Sequence, residues 1–192
     1  MIGHPVTVQG EWERVRAGDP AAFGALFDRH APAICRYCFH RIGDWHEAED
    51  LTSVTFLEAY RRRDADVPAD RVRAWLFGIA TNVIRNRRRS LQRYRRALAR
   101  LPREPFGEDA SELVAARIDA ARAWRPLLEL VRELPVVEQE VLALCAWGDL
   151  TYEETAAALG VPVGTVRSRL ARARARLRDQ AAPALEEVTT CD

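Results

Sequence analysis

Residues 151–178, TYEETAAALGVPVGTVRSRLARARARLR, constrain the fold most, because they spell helix, break and helix in one short run. Thr151 followed by Glu154 forms a capping box, in which two side chains satisfy backbone N–H groups orphaned at a helix start. Gly160 ends that helix. Val161-Pro162-Val163 then bends the chain, since Pro162 fixes its own backbone and disfavours helix at the residue before it. A second helix is expected from about Gly164, with Val163, Val166, Leu170, Ala173 and Leu177 recurring at helical spacing as one apolar stripe that faces a core.

The other side of that helix carries Arg167, Ser168, Ala171 and Arg172, where the start of a recognition helix meets base edges in a major groove. Arg169, Arg174, Arg176 and Arg178 flank them and suit phosphates. The competing reading is a solvated basic face. Against it stands the charge pattern: residues 163–178 hold six arginines and no acid, whereas soluble surface helices usually mix signs.

Helical periodicity continues through the rest of the 192 residues, and no strand pair is recognisable, so the expected class is all-α. One helix is expected over about Pro20–Arg41, with Phe23, Leu26, Phe27, Ala31, Ile34 and Cys38 inward. A second covers about His46–Arg63, with Ala48, Leu51, Thr55, Phe56, Ala59 and Tyr60 inward. Pro68 makes Asp64–Asp70 a loop. A third helix from about Asp70 begins apolar, with Trp75, Leu76, Ile79, Ala80 and Val83, and ends basic: residues 85–103 hold nine arginines and no acid. Arginine stems covering apolar surface are the alternative account of that stretch, but unpaired positive charges repel one another unless an anion is near.

Residues 101–120 shift to proline, glycine and acid, which marks a boundary. The expected organisation is two small helical domains joined by an acidic linker: a tail at 1–18, domains at 19–100 and 121–180, the linker at 101–120 and a frayed end at 181–192. Helical pattern resumes over about Ser111–Glu133, breaks at Leu134-Pro135, and returns in a short helix through Trp147 before the helix-turn-helix.

Net charge is only +1, yet residues 1–100 carry 18 arginines against 12 acids, so basic charge is local. No signal-peptide pattern and no apolar run of about eighteen residues occurs, which predicts a cytoplasmic chain without membrane insertion. The four cysteines suit reduced thiols there. Cys35, Cys38 and His40 resemble part of a metal site, but no second ligand pair accompanies them, and the helical context favours buried thiols; no metal or cofactor is expected.

With these segments in order, the chain resembles the extracytoplasmic-function (ECF) class of bacterial sigma factors, small members of the sigma-70 family. The first domain carries the resemblance through Ala48-Glu49-Asp50-Leu51, Thr55-Phe56-Leu57, Arg73-Ala74-Trp75-Leu76-Phe77, Ile79-Ala80 and Asn82. The second carries it through Leu134-Pro135, Glu138, Glu140-Val141-Leu142, Leu150-Thr151-Tyr152-Glu153-Glu154 and the run Val163-Gly164-Thr165-Val166-Arg167-Ser168-Arg169-Leu170.

The resemblance implies a non-catalytic protein that binds core RNA polymerase at its clamp and flap regions, directs it to promoters and helps melt them. Relatives read the minus-35 element as duplex. It implies contacts there from Arg167, Ser168, Arg169, Ala171 and Arg172, with Tyr152, Glu153 and Thr165 close to groove or backbone. They capture the minus-10 element as a single strand, a step that needs a surface replacing lost stacking and a basic track. Asn82 matches the residue that meets the melted strand, Trp75 its packing support, Arg85, Arg87, Arg88 and Arg89 the track, and Asp66 and Val67 lie in the specificity loop. Glu49 and Asp50 are the candidates for the polymerase interface. Relatives are often held by an anti-sigma factor, and they thread their linker toward the polymerase cleft, a role that Glu104, Glu108, Asp109, Glu112 and Asp119 suit; an ordinary solvated linker is the alternative. Three positions depart from the pattern: the loop lacks the aromatic or Arg-Gly pair common in relatives, Ser53-Val54 replaces a frequent Gln-Glu, and Cys145 stands where arginine is frequent.

A rival class is the LuxR-type regulator, which uses a similar helix-turn-helix to bind duplex DNA without serving as a sigma subunit. It requires a sensor or receiver domain in front. An enzyme built on Cys35, Cys38 and His40 lacks a convergent acid-base set.

Overall fold

A computed structural model describes residues 8–98 and 129–189, and every regular element among them is helical. Four helices form the first domain: α1 (Val8–Arg16), α2 (Pro20–Ile42), α3 (Trp45–Arg61) and α4 (Val72–Leu98), the last preceded by a 3-10 turn at Ala69–Arg71. The second domain holds a helical segment at 129–133 (α5), then α6 (Val136–Ala146), α7 (Tyr152–Leu159) and α8 (Val163–Thr189). The linker acids lie outside the described residues, as does most of the helix expected over Ser111–Glu133.

Local chemistry accounts for the boundaries. The Asp19 side chain accepts from the Ala21 and Ala22 N–H groups, and Pro20 occupies the first turn of α2, where its missing donor costs nothing. Gly43 ends α2 at φ 84°, and Asp44 caps α3 by accepting from Glu47 N–H. On α7 both halves of the Thr151–Glu154 capping box are present, and Gly160 at φ 64° takes the left-handed turn that a side chain would resist. A cap of this kind contributes about 1 kcal/mol.

Residues 1–18 are not merely a tail. Val8–Arg16 is helical and buries Glu11, Trp12 and Val15. At the other end the α8 backbone continues to Thr189, past the expected frayed start.

In the first domain α2 crosses α3 and α4 through Leu26, Ile34, Tyr37, Leu51, Phe56, Leu76 and Ile84. The buried Tyr37 hydroxyl and Thr81 Oγ1 share a hydrogen bond at 2.8 Å, and burial raises the Tyr37 pKa. Two of the residues expected to face inward do not: Phe27 and Tyr60 are 39% and 37% exposed, as rim partners of Phe56 and Phe23. The α2–α3 contact is already filled by smaller neighbours such as Ala22, Ala48 and Ala59.

In the second domain the α8 stripe packs as its spacing predicts. Val166, Leu170 and Ala173 are buried against Val131, Val141 and Ala156, with Val163 and Leu177 at the margins.

The two domains meet along a seam where α4 contacts α7 and α2 contacts α6. Ala143, Leu144 and Leu150 join the first domain's core. His40 stacks on Trp147 with centroids 4.4 Å apart, and the Arg73 guanidinium donates to the Gly148 carbonyl at 2.8 Å. Arg132 donates to the Ile42 carbonyl.

Candidate nucleic-acid interface

On α8, Arg167, Ser168, Ala171 and Arg172 are exposed along one side, opposite the buried stripe. Arg169 is half-buried; Arg174, Arg176 and Arg178 are exposed. Thr165 and Tyr152 are half-buried beside this face, and Glu153 is exposed at the start of α7. The Ser168 hydroxyl donates back to the Thr165 carbonyl at 3.1 Å. A fixed helix thus offers two exposed guanidinium forks, separated by a small residue that permits close approach, in the geometry a major groove accepts.

The charge pattern on α8 looked unopposed because its acid comes from another helix. Glu138 of α6, whose side chain is only 5% exposed, lies 3.6 Å from Arg172 Nε and 3.4 Å from Arg176 Nη1. Both distances exceed a normal hydrogen bond, so the pairs orient the arginines more than they bind them.

In the basic half of α4, Arg85, Arg87, Arg88 and Arg89 likewise have partners. Arg85 grips Glu140 of α6 with Nε at 2.7 Å and Nη2 at 2.6 Å, a two-pronged ion pair whose acid is 1% exposed and whose base is 37% exposed. This carboxylate raises the Arg85 pKa above its ordinary value. Arg87 donates to Glu47 at 2.7 Å, and Arg89 to Asn86 at 2.7 Å. Asn82 is exposed, with its Oδ1 accepting from Arg85 at 3.2 Å.

Arg88 sits in a more crowded place. Its Nη1 and that of the buried Arg41 both donate to Gln139 Oε1, at 3.1 and 3.2 Å, and Gln139 in turn donates to the Leu134 carbonyl at 2.7 Å. Burial, aided by the positive charge of Arg41, lowers the Arg88 pKa to about 10. It remains charged at neutral pH.

Consecutive α6 residues therefore serve both arginine-rich helices: Glu138 points to α8, while Gln139 and Glu140 point to α4. Residues two apart on a helix lie on nearly opposite sides, which is why one short helix can do this. Sequence reasoning placed Glu138 and Glu140 in the family pattern without these partners.

Between α3 and α4, Asp66 is exposed and Val67 half-buried. Trp75 is half-buried and meets Trp12 edge-on at 5.4 Å. Asp70 and Arg71 at the loop's end share an open groove of about 690 Å³ with Glu153 and the turn at Gly160–Val163. Glu49 and Asp50 are exposed on α3. Glu49 rims a groove of about 380 Å³ between α2 and α3 that includes Phe27, Ala31, Pro32 and Thr52. Exposed Val54 and Leu57 extend the apolar character of α3.

Cys38 is fully buried, and burial pushes its thiol up to about 12; Cys35 is half-buried. His40 is committed to the Trp147 stack. Among the described residues no group of three or more His, Cys, Asp or Glu side chains is arranged to hold a metal ion. No described helix is long and apolar enough to cross a membrane.

Residues 26–94 match the family described as Sigma-70 region 2, and residues 124–177 match Sigma-70, region 4. The RNA polymerase sigma factor HrpL of Pseudomonas syringae pv. syringae is 35% identical over 150 residues, covering 74% of this chain and 78% of HrpL. The ECF RNA polymerase sigma factor BldN of Streptomyces coelicolor is 34% identical over 174 residues, covering 86% of this chain and 63% of BldN. The structure of CnrH in complex with the cytosolic domain of CnrY is similar at a TM-score of 0.67 and 28% identity, over 92% of this chain and 99% of CnrH. The region 2 match occupies the part of the chain where a LuxR-type regulator would need its sensor or receiver domain.

Proposed function

The chain belongs to the sigma-70 family of RNA polymerase sigma factors, and from that premise we propose that it is an ECF sigma factor that binds core polymerase and directs promoter recognition, melting and initiation. The observation that carries this reading is the pairing of a region 4 helix-turn-helix, with Arg167, Ser168, Ala171 and Arg172 exposed on one side of α8, with a region 2 domain in front of it. The chain itself performs no catalysis in this scheme. It acts in the cytoplasm, where its polymerase and promoters are.

Each face takes one role. The α8 face, with Tyr152, Glu153 and Thr165 beside it, meets the minus-35 duplex, Arg167 and Arg172 reading base edges and Arg169 meeting backbone. Asn82, the α4 arginines Arg85, Arg87, Arg88 and Arg89, and the loop at Asp66 and Val67 meet the melted minus-10 strand. Glu49 and Asp50, beside the apolar groove, meet the polymerase clamp. CnrH is seen with the cytosolic domain of CnrY, and this reading includes a protein partner for the present chain as well, an anti-sigma factor.

The seam between the domains adds a condition. Arg85 and Arg88 are engaged by Glu140 and Gln139, so a strand phosphate that takes those same donors competes with α6 for them. In this reading promoter binding trades part of an interdomain ion pair for protein–DNA pairs.

Controlled expression followed by sequencing of RNA 5′ ends tests the function. New starts should appear downstream of one shared two-element motif. Changes in transcript level from existing starts, without new ones, would instead indicate a regulator.

A further inference from the structure

The nine-residue helix α1 lies outside both family matches, yet it is built into the fold at the loop between α3 and α4. Trp12 is 4% exposed, and its indole N–H donates to the Val67 carbonyl at 2.8 Å, joining positions 55 residues apart. Four contacts fix the direction of that donor. The Trp12 ring meets Trp75 of α4 edge-on. Glu11, 5% exposed, accepts from Arg29 of α2 at 2.6 Å. Val15 is 1% exposed in the same core, and Arg14 donates to Asp19, the cap of α2, at 2.8 Å.

The loop itself has little to hold it in register. Two tight turns, Ala65 N–H to the Arg62 carbonyl and Val67 N–H to the Ala65 carbonyl, are followed by the 3-10 turn from Pro68. From Asp64 to Asp70 exposure alternates strictly: Asp64, Asp66, Pro68 and Asp70 are exposed, while Ala65, Val67 and Ala69 are half-buried. Of the inward residues only Val67 is larger than alanine, and Val67 and Ala69 pack at the margin of the first domain's core. The Trp12 indole adds a side-chain hydrogen bond to the carbonyl at the centre of that segment.

We propose that Trp12 is a positioning residue for minus-10 base selection: it pins the Val67 carbonyl and so determines how Asp66 and its neighbours face the melted strand. This rests on the reading of Asp64–Asp70 as the loop that meets that strand. Trp12 touches no DNA in this scheme. It acts through the loop, from a segment whose length and position make it look dispensable.

The experiment uses holoenzyme assembled from core polymerase and the full chain, transcribing a promoter pool randomised through the minus-10 element. Trp12→Phe keeps an aromatic ring against Trp75 and removes the donor. It should change the relative use of bases at one minus-10 position about three- to ten-fold, the range carried by loss of one hydrogen bond, with minus-35 preference unchanged. Glu11→Gln, which weakens the ion pair of α1 with Arg29 of α2 and keeps the Trp12 donor, should shift the ranking in the same direction by less. A purely structural role would lower output from all promoters in equal proportion, and that result overturns the proposal. Asp66→Ala separates the two layers of the argument. If Asp66→Ala alters the ranking and Trp12→Phe does not, the positioning role fails alone; if neither alters it, the loop reading fails with it.

Discussion

Replacing Gly78 by alanine acts with opposite signs on the two halves of this chain. Gly78 lies inside α4, in its second turn, where glycine destabilises a helix by about 1 kcal/mol relative to alanine, so the first domain should gain roughly that much. The same methyl group faces α7. A Cβ built on Gly78 falls 2.7 Å from the Ala158 carbonyl oxygen, and Ala158 is backbone that cannot rotate away. To restore ordinary contact α7 must retreat by about 0.5 Å or more, and overpacking of this kind costs about 1–3 kcal/mol. That cost falls on the seam alone, because neither domain's own core contains the clash. Hydrogen exchange followed peptide by peptide reads both effects in one experiment. In Gly78→Ala, peptides of α6 and α7 should lose about five- to hundred-fold protection while those of α2 and α4 gain. Unchanged protection in α6 and α7, or loss in both domains together, would refute the seam as described.

The Arg85–Glu140 pair should respond asymmetrically. Arg85→Ala strands a carboxylate that is 1% exposed and should weaken the closed form by about 3–5 kcal/mol, up to the full free energy of closure. Glu140→Gln leaves a partly hydrated guanidinium and should cost about 1 kcal/mol. The double replacement Arg85→Met with Glu140→Leu should close as well as the parent or better, while impairing minus-10 function; equal costs in the two single variants, by hydrogen exchange at the seam, would contradict the assignment. Acid should loosen the molecule through His40, which burial, aided by Arg36, holds below its ordinary value of 6.5. The opened or unfolded chain then takes the proton first, so this contribution is full above about pH 6.5 and falls as pH drops below it. His40→Phe, which keeps a ring on Trp147, should flatten the fall in melting temperature between pH 7.5 and 5.5. Arg167→Ala or Arg172→Ala should weaken minus-35 duplex binding by about 1–3 kcal/mol, unequally across base substitutions; equal loss on every sequence would assign those side chains to phosphate.

Features written in local spacing were legible from the sequence. The Thr151–Glu154 box, the closure at Gly160 and the α8 stripe depend on residues within a turn or two of one another, and each appears in the structure. So do the limits of α2 and α3 to within two residues. Features that depend on another element were not legible. Arg85 and Arg87 of α4 and Arg172 and Arg176 of α8 looked unopposed because their acids stand on other helices, Glu140 and Glu138 on α6 and Glu47 on α3, in the Arg85 case 55 residues away. Phe27 and Tyr60 obey the inward periodicity, yet smaller residues fill the contact first. The nine residues of α1 give barely two turns of periodicity; the signal they carry is Trp12 and Val15 one turn apart, followed by the Gly18-Asp19 stop and cap.

Reconstitution tests the central claim most directly. Purified chain added to core polymerase should yield run-off transcripts of defined start from a promoter carrying both elements, and omission of either the chain or the minus-10 element should abolish them. Tight binding of the chain to minus-35 duplex, with no transcript at any ratio of chain to core polymerase, would contradict it.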